Sequence, residues 1–285
     1  MERKRLAIAV PASVISGTPH LREKTAKIGF IGRAAAIFRV NEIIVYRDNS
    51  RKGKQKREVD LITLLLTYLE TPQYLRKRLF KLDPQLQFAG ILPPLRTPHH
   101  PLNRKTENLK VGEYREGVTL SRTKEGVLVD IGVERPALMR ETHWALDKRL
   151  TVQTVKAGER VEVQTVSKDQ IPYYWGYTVT VETHSFGKLV ESGKFDLTIA
   201  TSKIGAKFMD VAEKMADKWK KANCTLVAFG APTRGLHEIV RDEGANLNDV
   251  VDFVVNTVPE QGTETVRTEE ALLASLAIFN VQFGR

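Results

Sequence analysis

The hydrophobic pattern of this chain changes character twice, and few architectures accommodate that. RLAIAVPAS (Arg5 to Ser13) is a short apolar run closed at a proline, reading as a first strand. LREKTAKIGFIGRAAAIFRV (Leu21 to Val40) then sets Ile28, Ile31, Ala35 and Phe38 at the three-to-four spacing of a helix. EIIVYRD (Glu42 to Asp48) reads as a buried strand entering a turn. Strand, helix and strand in that order predict parallel pairing. NSRKGKQKREVD (Asn49 to Asp60) reads as a basic loop, followed by a helix pair over roughly Leu61 to Leu82. LPPLRTPHHP (Leu92 to Pro101) breaks regular structure.

The middle is different. GEYREGVTLSRTKEGVLVDIGVERPALMR (Gly112 to Arg140) and ERVEVQTVSKDQIPYYWGYTVTVET (Glu159 to Thr183) are short β-branched runs punctuated by glycine. They predict about five strands and a small barrel of the OB or a related kind. Asp147 to Leu150 marks a connection near its centre. The tail returns to α/β, with FDLTIAT (Phe195 to Thr201), a helix over Phe208 to Lys221, CTLVAFG (Cys224 to Gly230), VVDFVVN (Val250 to Asn256) and a last helix. The expected organisation is therefore one α/β domain in two parts, 1–104 and 184–285, with a β-rich module at 105–183 inserted between them.

Composition narrows the class of partner. The 285 residues carry a net charge of +10, which favours a polyanion such as nucleic acid, or else a solvated basic surface. A single cysteine, Cys224, excludes an internal disulfide framework and fits a reducing, cytoplasmic setting. The apolar stretch LITLLLTYL (Leu61 to Leu69) is half the length of a membrane span, so no membrane partner is expected. The six histidines lack zinc-ligand spacing with a cysteine, so no metal is expected.

Three predicted strand ends in the tail finish in small or polar residues: ATSKIG (Ala200 to Gly205), FGAPTRGL (Phe229 to Leu236) and NTVPEQGTETVRTEEA (Asn256 to Ala271). Ligands of open α/β sheets bind at such carboxyl ends. There is no GxGxxG and no GxxxxGK[ST]. Thr268 reads as a helix N-cap followed by Glu269 and Glu270, with Glu260 and Glu264 nearby; these acids complement the helix dipole and would repel a pyrophosphate. The loops suit a neutral or cationic adenosine ligand, or the acids simply cap the helix.

VVNTVPEQGTETVRTEEALLASLAIFN resembles the last motif of the SPOUT-class methyltransferases, in the archaeal and eukaryotic branch of RNA methyltransferases with the pattern VNTxPxQGxxTxRTEEA. FGAPTRGL and ATSKIG fall where that family has FGG-type and GTSxRG loops, and KIGFIGRAAAIFRVNEIIVYRD is similar to its first motif. The resemblance implies an α/β fold of the SPOUT type: a trefoil-knotted parallel-sheet domain with an inserted OB-like β-barrel, working as a homodimer. It implies S-adenosylmethionine as methyl donor and RNA as partner, ribosomal before transfer RNA, with uridine N3 as a target. A SPOUT-type protein arginine methyltransferase and a non-catalytic ribosome-assembly factor are the alternatives.

Carried over position by position, the resemblance implies a donor site from Thr201, Ser202, Gly205, Phe229, Gly230, Ala231, Asn256, Thr257, Pro259, Gln261, Gly262 and Thr263. Arg33, in the first motif, is implied as an RNA clamp and, with Arg267, as a catalytic candidate. The chain departs from the pattern at Ala200, Ile204 and Ala231. Independently of the resemblance, Tyr173 and Tyr174 beside basic residues suit base stacking, and Arg51 and Lys52 in the basic loop suit phosphate contact. Trp175 and Tyr177 read either as part of that surface or as barrel core. Glu264, Glu269 and His237 are the candidate bases.

Overall fold

The computed structural model describes residues 4–48 and 52–284. β1 (Arg5–Pro11), α1 (Leu21–Ile37) and β2 (Glu42–Tyr46) form the expected unit, with the two strands parallel. α2 (Lys52–Glu70) and α3 (Gln73–Leu79) follow. α2 starts inside the segment read as a loop. Val59, Ile62, Leu65, Leu66 and Leu69 keep one buried stripe, and the lysines and glutamine before them are good helix formers that extend it backwards.

Two compact units make up the chain. The smaller comprises Tyr68–Pro84 and Pro94–Gly176. Its strands β3 (Tyr114–Thr123), β4 (Gly126–Asp130), β5 (Ala137–Met139), β6 (Arg149–Lys156) and β7 (Glu162–Thr165) close into a barrel in the order β3-β4-β5-β7-β6. Only the β5–β7 pair is parallel, a connectivity compatible with an OB-type barrel. Val127, Val129, Ile131, Met139, Val152 and Val163 fill it, as period-two alternation requires.

Under the barrel lies a buried ionic network. The Arg149 guanidinium donates to Glu70 at 2.6 and 3.1 Å and to Glu116 at 2.6 Å. Glu116 also accepts from Thr151 and from the Trp175 indole, each at 2.6 Å. His99 and His100 both bond the Glu70 carbonyl, at 3.0 and 2.7 Å. Trp175 is therefore interior to this unit, one of the two readings the sequence left open, while Tyr173 is 41% exposed.

The larger unit comprises the remainder. It adds β8 (Thr178–Glu182), α4 (Phe186–Glu191), β9 (Leu197–Lys207), α5 (Phe208–Lys221), β10 (Cys224–Ala228), α6 (Leu236–Asp242), α7 (Leu247–Val250), β11 (Phe253–Asn256) and α8 (Thr268–Phe283). Its sheet runs β11-β9-β10-β1-β2-β8, all pairs parallel. The alternation of TVTVE places it with the barrel strands; in the structure it is β8, at the edge of this sheet. Alternation alone cannot choose a partner strand. Asn41 does: its carbonyl takes the Thr178 N–H at 2.9 Å and sets the register against β2. Tyr177, read as possible barrel core, is buried in this unit instead, with its hydroxyl on the Leu66 carbonyl.

Ala7, Ala9, Ile44, Ala200, Leu226 and Ala228 bury one sheet face with Leu236, Ile239 and Leu247 from α6 and α7. α5 packs on β9, β11 and α8, and α8 packs on α1. Phe208 and Trp219 of α5 meet Phe279 of α8 at ring-centroid distances of 5.7 and 5.9 Å. That aromatic contact fixes α8, and with it the loop that leads into it.

Candidate active site

Three loops at the carboxyl ends of β9, β10 and β11 surround a cavity of about 400 Å³, within the size range of small-molecule sites. Each loop is shaped by a different device.

The first is an excursion within β9. Ala200 pairs with Val254 and Ala206 with Val255, so the five residues from Thr201 to Gly205 leave a ladder that resumes at the next step of β11. Thr201, Ser202, Lys203 and Ile204 line the cavity. Gly205 does not. A Cβ there would lie 2.8 Å from the Val254 oxygen and from the Val255 backbone, so its lack of a side chain lets β9 return against β11. Gly205, expected as a donor contact, packs against β11 and is outside the cavity lining.

The second loop begins at Phe229, whose N–H bonds Ala9 at 3.0 Å and whose carbonyl accepts from the Tyr46 hydroxyl at 2.7 Å. Burial first, then the Asp48 and Glu243 charges, push the Tyr46 phenol well above its ordinary pKa, so it stays a donor. Gly230 lines the cavity and turns tightly, with Leu236 N only 3.1 Å from where a Cβ would stand. Ala231 closes the turn through its N–H to Arg234 O at 2.9 Å. Arg234 reaches back to the Asp48 carbonyl at 3.1 Å and pairs with Asp242, bracing the loop against β2 and α6.

The third loop is sewn to the other two. The Asn256 amide donates to Lys203 O at 2.9 Å and accepts from Val258 N at 2.9 Å. Lys203 Nζ donates to Glu264 O at 3.0 Å, and Thr268 Oγ1 donates to Gly230 O at 3.0 Å. Thr257 bonds Ser275 of α8 at 2.7 Å. Thr268 is therefore not the N-cap that its position suggested. Arg267 holds that place and its N–H is taken by Glu270 at 2.9 Å, which frees the threonine hydroxyl for the second loop.

Of the expected donor residues, Thr201, Ser202, Phe229, Gly230, Ala231, Asn256, Thr257 and Gln261 all line this cavity. Pro259, Gly262 and Thr263 lie outside it and are exposed, on the outward turn of the third loop. Arg267 faces a different cavity, and Arg33 is half-buried on α1 away from both. Arg51 lies outside the described residues, and Lys52 falls at the start of α2. Tyr173 and Tyr174 belong to the barrel unit, where Tyr173 packs against Tyr114 and Trp175. Sequence reasoning missed Lys203 and Arg234, although both stand inside motifs it singled out. Their work is done by backbone and charge contacts to residues far along the chain.

The lining fits a methyl-donor nucleoside. Gly230 and the small and polar residues at the strand ends leave room for a nucleoside, and Glu238 and Glu264 supply negative charge for a sulfonium or ammonium group. Among the described residues no group of three His, Cys, Asp or Glu is placed to hold a metal ion.

Residues 5–279 match the model of a family described as "putative RNA methyltransferase". The chain belongs to that family. A 28S rRNA (uridine-N(3))-methyltransferase of Mus musculus is 35% identical over 95% of this chain and 75% of its own length. The Homo sapiens protein of the same description is 34% identical over 95% of this chain and 77% of its own length. An uncharacterized protein of Halobacterium salinarum is 32% identical over 95% and 96%. The family assignment makes the three-loop cavity the natural place for methyl-transfer chemistry, because it is the cavity built by the motifs of the tail.

Within it, the Asn256 side chain ties the third loop to the first. Asn256→Ala removes one hydrogen bond between loops, to Lys203 O, and one within the third loop, from Val258 N, each of about 1 kcal/mol. Calorimetric titration with S-adenosylmethionine should show about tenfold weaker binding, with the thermal midpoint of the protein little changed.

Proposed function

We propose that this protein is an S-adenosylmethionine-dependent RNA methyltransferase that modifies uridine at N3 in large-subunit ribosomal RNA. The observation that carries the reading is the agreement between the cavity and the motifs: three loops far apart in sequence converge on one space, and eight of the expected donor residues line it. The names of the mouse and human relatives support the substrate, and the net charge of +10 supports a polyanionic partner. When bound, the donor would supply an electrophilic methyl group on a sulfonium. The chain's part is to hold that nucleoside among Thr201, Gly230, Asn256 and Gln261, to complement its positive charge with Glu238 and Glu264, and to align the acceptor.

The same reading includes the SPOUT class, a trefoil knot and a homodimer. Supporting the knot are the excursion of β9 against β11 and the way Lys203, Asn256 and Thr268 bind the last loop to both others. Incubation of the protein with tritiated donor and total RNA and protein from cells lacking it tests the function. Label in large-subunit RNA, released as N3-methyluridine on digestion, is expected. Label in polypeptide alone, or in neither, would overturn the reading.

A further inference from the structure

The larger unit holds a second cavity, of about 670 Å³, between α1 and the first turn of α8. It shares Pro232 with the donor cavity, and the consecutive residues Thr268 and Glu269 face one cavity each. We propose that this second cavity receives a uracil-type base, with Glu269 as the acceptor of its N3–H. The proposal rests on the methyltransferase reading and names the subsite that reading leaves open.

Four residues carry it. Glu269 is 9% exposed, and its Oε2 has no hydrogen bond among the described residues. Its partner is the Lys27 ammonium at 3.2 Å, an ion pair without the direction of a hydrogen bond. Capping of α8 does not need Glu269, because Glu270 already takes the Arg267 N–H. The Oε2 atom itself is shut in against Lys27, but Glu269 lines the cavity and its side chain keeps 12% of its surface exposed, so the carboxylate can be reached there.

The edge of a uracil runs acceptor, donor, acceptor: O2, N3–H, O4. The wall offers the complement, with the Glu269 carboxylate as acceptor and the Lys27 and Arg267 cations as donors. Phe30, 41% exposed, supplies an aromatic face of the kind on which unpaired bases stack. Glu23 and Glu270 also reach this wall, which makes it a poor site for a bare phosphate and a better one for a neutral base. A cytosine would set its N3 lone pair against the carboxylate and be repelled.

Methylation at N3 also needs a proton acceptor. As the N3–carbon bond forms, the methyl–sulfur bond breaks and its electron pair stays on sulfur, leaving a neutral thioether. The N3 proton passes to Glu269, which becomes a neutral acid until solvent takes the proton, and the electron pair of the broken N3–H bond is the one that bonds the methyl carbon. Lys27 stabilises the negative charge that develops on the uracil oxygens.

Three measurements test this. The native protein is irradiated with unmodified large-subunit ribosomal RNA of its source organism, transcribed with 5-iodouridine, and the crosslinked peptide is sequenced. The crosslink is expected at Phe30; crosslinks confined to other parts of the chain would overturn the site. Separately, Glu269→Gln is expected to bind S-adenosylmethionine within twofold of the native protein while kcat on that RNA falls at least about 100-fold. Its residual rate should climb with pH as uridine itself ionises, a change that a structural role would not produce. An unchanged kcat, or donor affinity lost in step with kcat, would overturn the role of Glu269. Phe30→Ala should raise KM for RNA more than it lowers kcat. Absence of donor binding or RNA methylation by the native protein would instead defeat the parent reading.

Discussion

Arg149→Met is expected to destabilise the barrel unit by about 3–5 kcal/mol, the cost typical of removing one partner from a buried ion network. The side chains of Glu70 and Glu116 are 4% and 1% exposed, and Arg149 bonds both. Without it, two carboxylates face each other out of water. Urea denaturation followed by Trp175 emission reads this unit directly, in a protein whose Trp144 and Trp219 are phenylalanine, because Trp175 donates to Glu116. A loss below about 1 kcal/mol would show that the network does not hold the unit together.

The pH dependence of the same transition has a sign that follows from the network. Burial pushes the Glu70 carboxyl up, but Arg149, the His99 hydrogen bond and Lys168 outweigh it and hold the group at about 2. A depressed carboxylate contributes stability that is present above the unfolded value near 4.5 and is lost as pH falls toward 2. His100 is lowered to about 4, by burial first and then by His99, so its unfolded form takes a proton earlier and the loss begins below about pH 6.5. In Arg149→Met the two carboxylates prefer their protons, so acid relieves them. The gap between variant and parent should therefore narrow as pH falls from 6 to 4.5; a gap that stays constant would contradict the assignment.

Gly205→Val should be the most damaging single change near the donor cavity. The neighbours of its Cβ are backbone atoms of β11 at 2.8 Å, which cannot rotate away as a side chain would. Overpacking of this kind costs about 1–3 kcal/mol or more. The strain falls where β9 rejoins the ladder, so Thr201 to Ile204 are pushed from their places in the cavity wall. S-adenosylmethionine affinity should drop at least tenfold by calorimetry, while the urea midpoint of the barrel unit stays put. An unchanged affinity would show that the excursion of β9 does not shape the cavity.

Much of this architecture was legible from residue pattern. The parallel β1–α1–β2 unit, the barrel in the middle and the strand ends of the tail all follow from periodicity, because each buries a face with its own period. What pattern could not fix was partnership. TVTVE alternates equally well for a barrel strand or a sheet edge, and only the Asn41 carbonyl decides. Thr268 has the chemistry of an N-cap, yet Gly230 O lies within its reach and Arg267 takes the cap. Gly205 was legible as a glycine that something approaches closely; that the something is β11 rather than a ligand depends on a strand 50 residues away. The three strand-end loops were legible as a ligand-binding set from their small and polar residues, whereas the individual donor contacts came only through resemblance to known motifs. Lys203 and Arg234 were passed over because their partners, Glu264, Asp48 and Asp242, lie 8 to 186 residues from them.

Methyl transfer by this chain would depend on one event, the seating of a sulfonium nucleoside among the ends of β9, β10 and β11. Isothermal titration of the purified protein with S-adenosylmethionine measures it. Saturable binding at one site per chain, weakened in Asn256→Ala and Gly205→Val and retained in Glu269→Gln, is the predicted result. No heat at millimolar donor, or an affinity indifferent to Asn256 and Gly205, would contradict it.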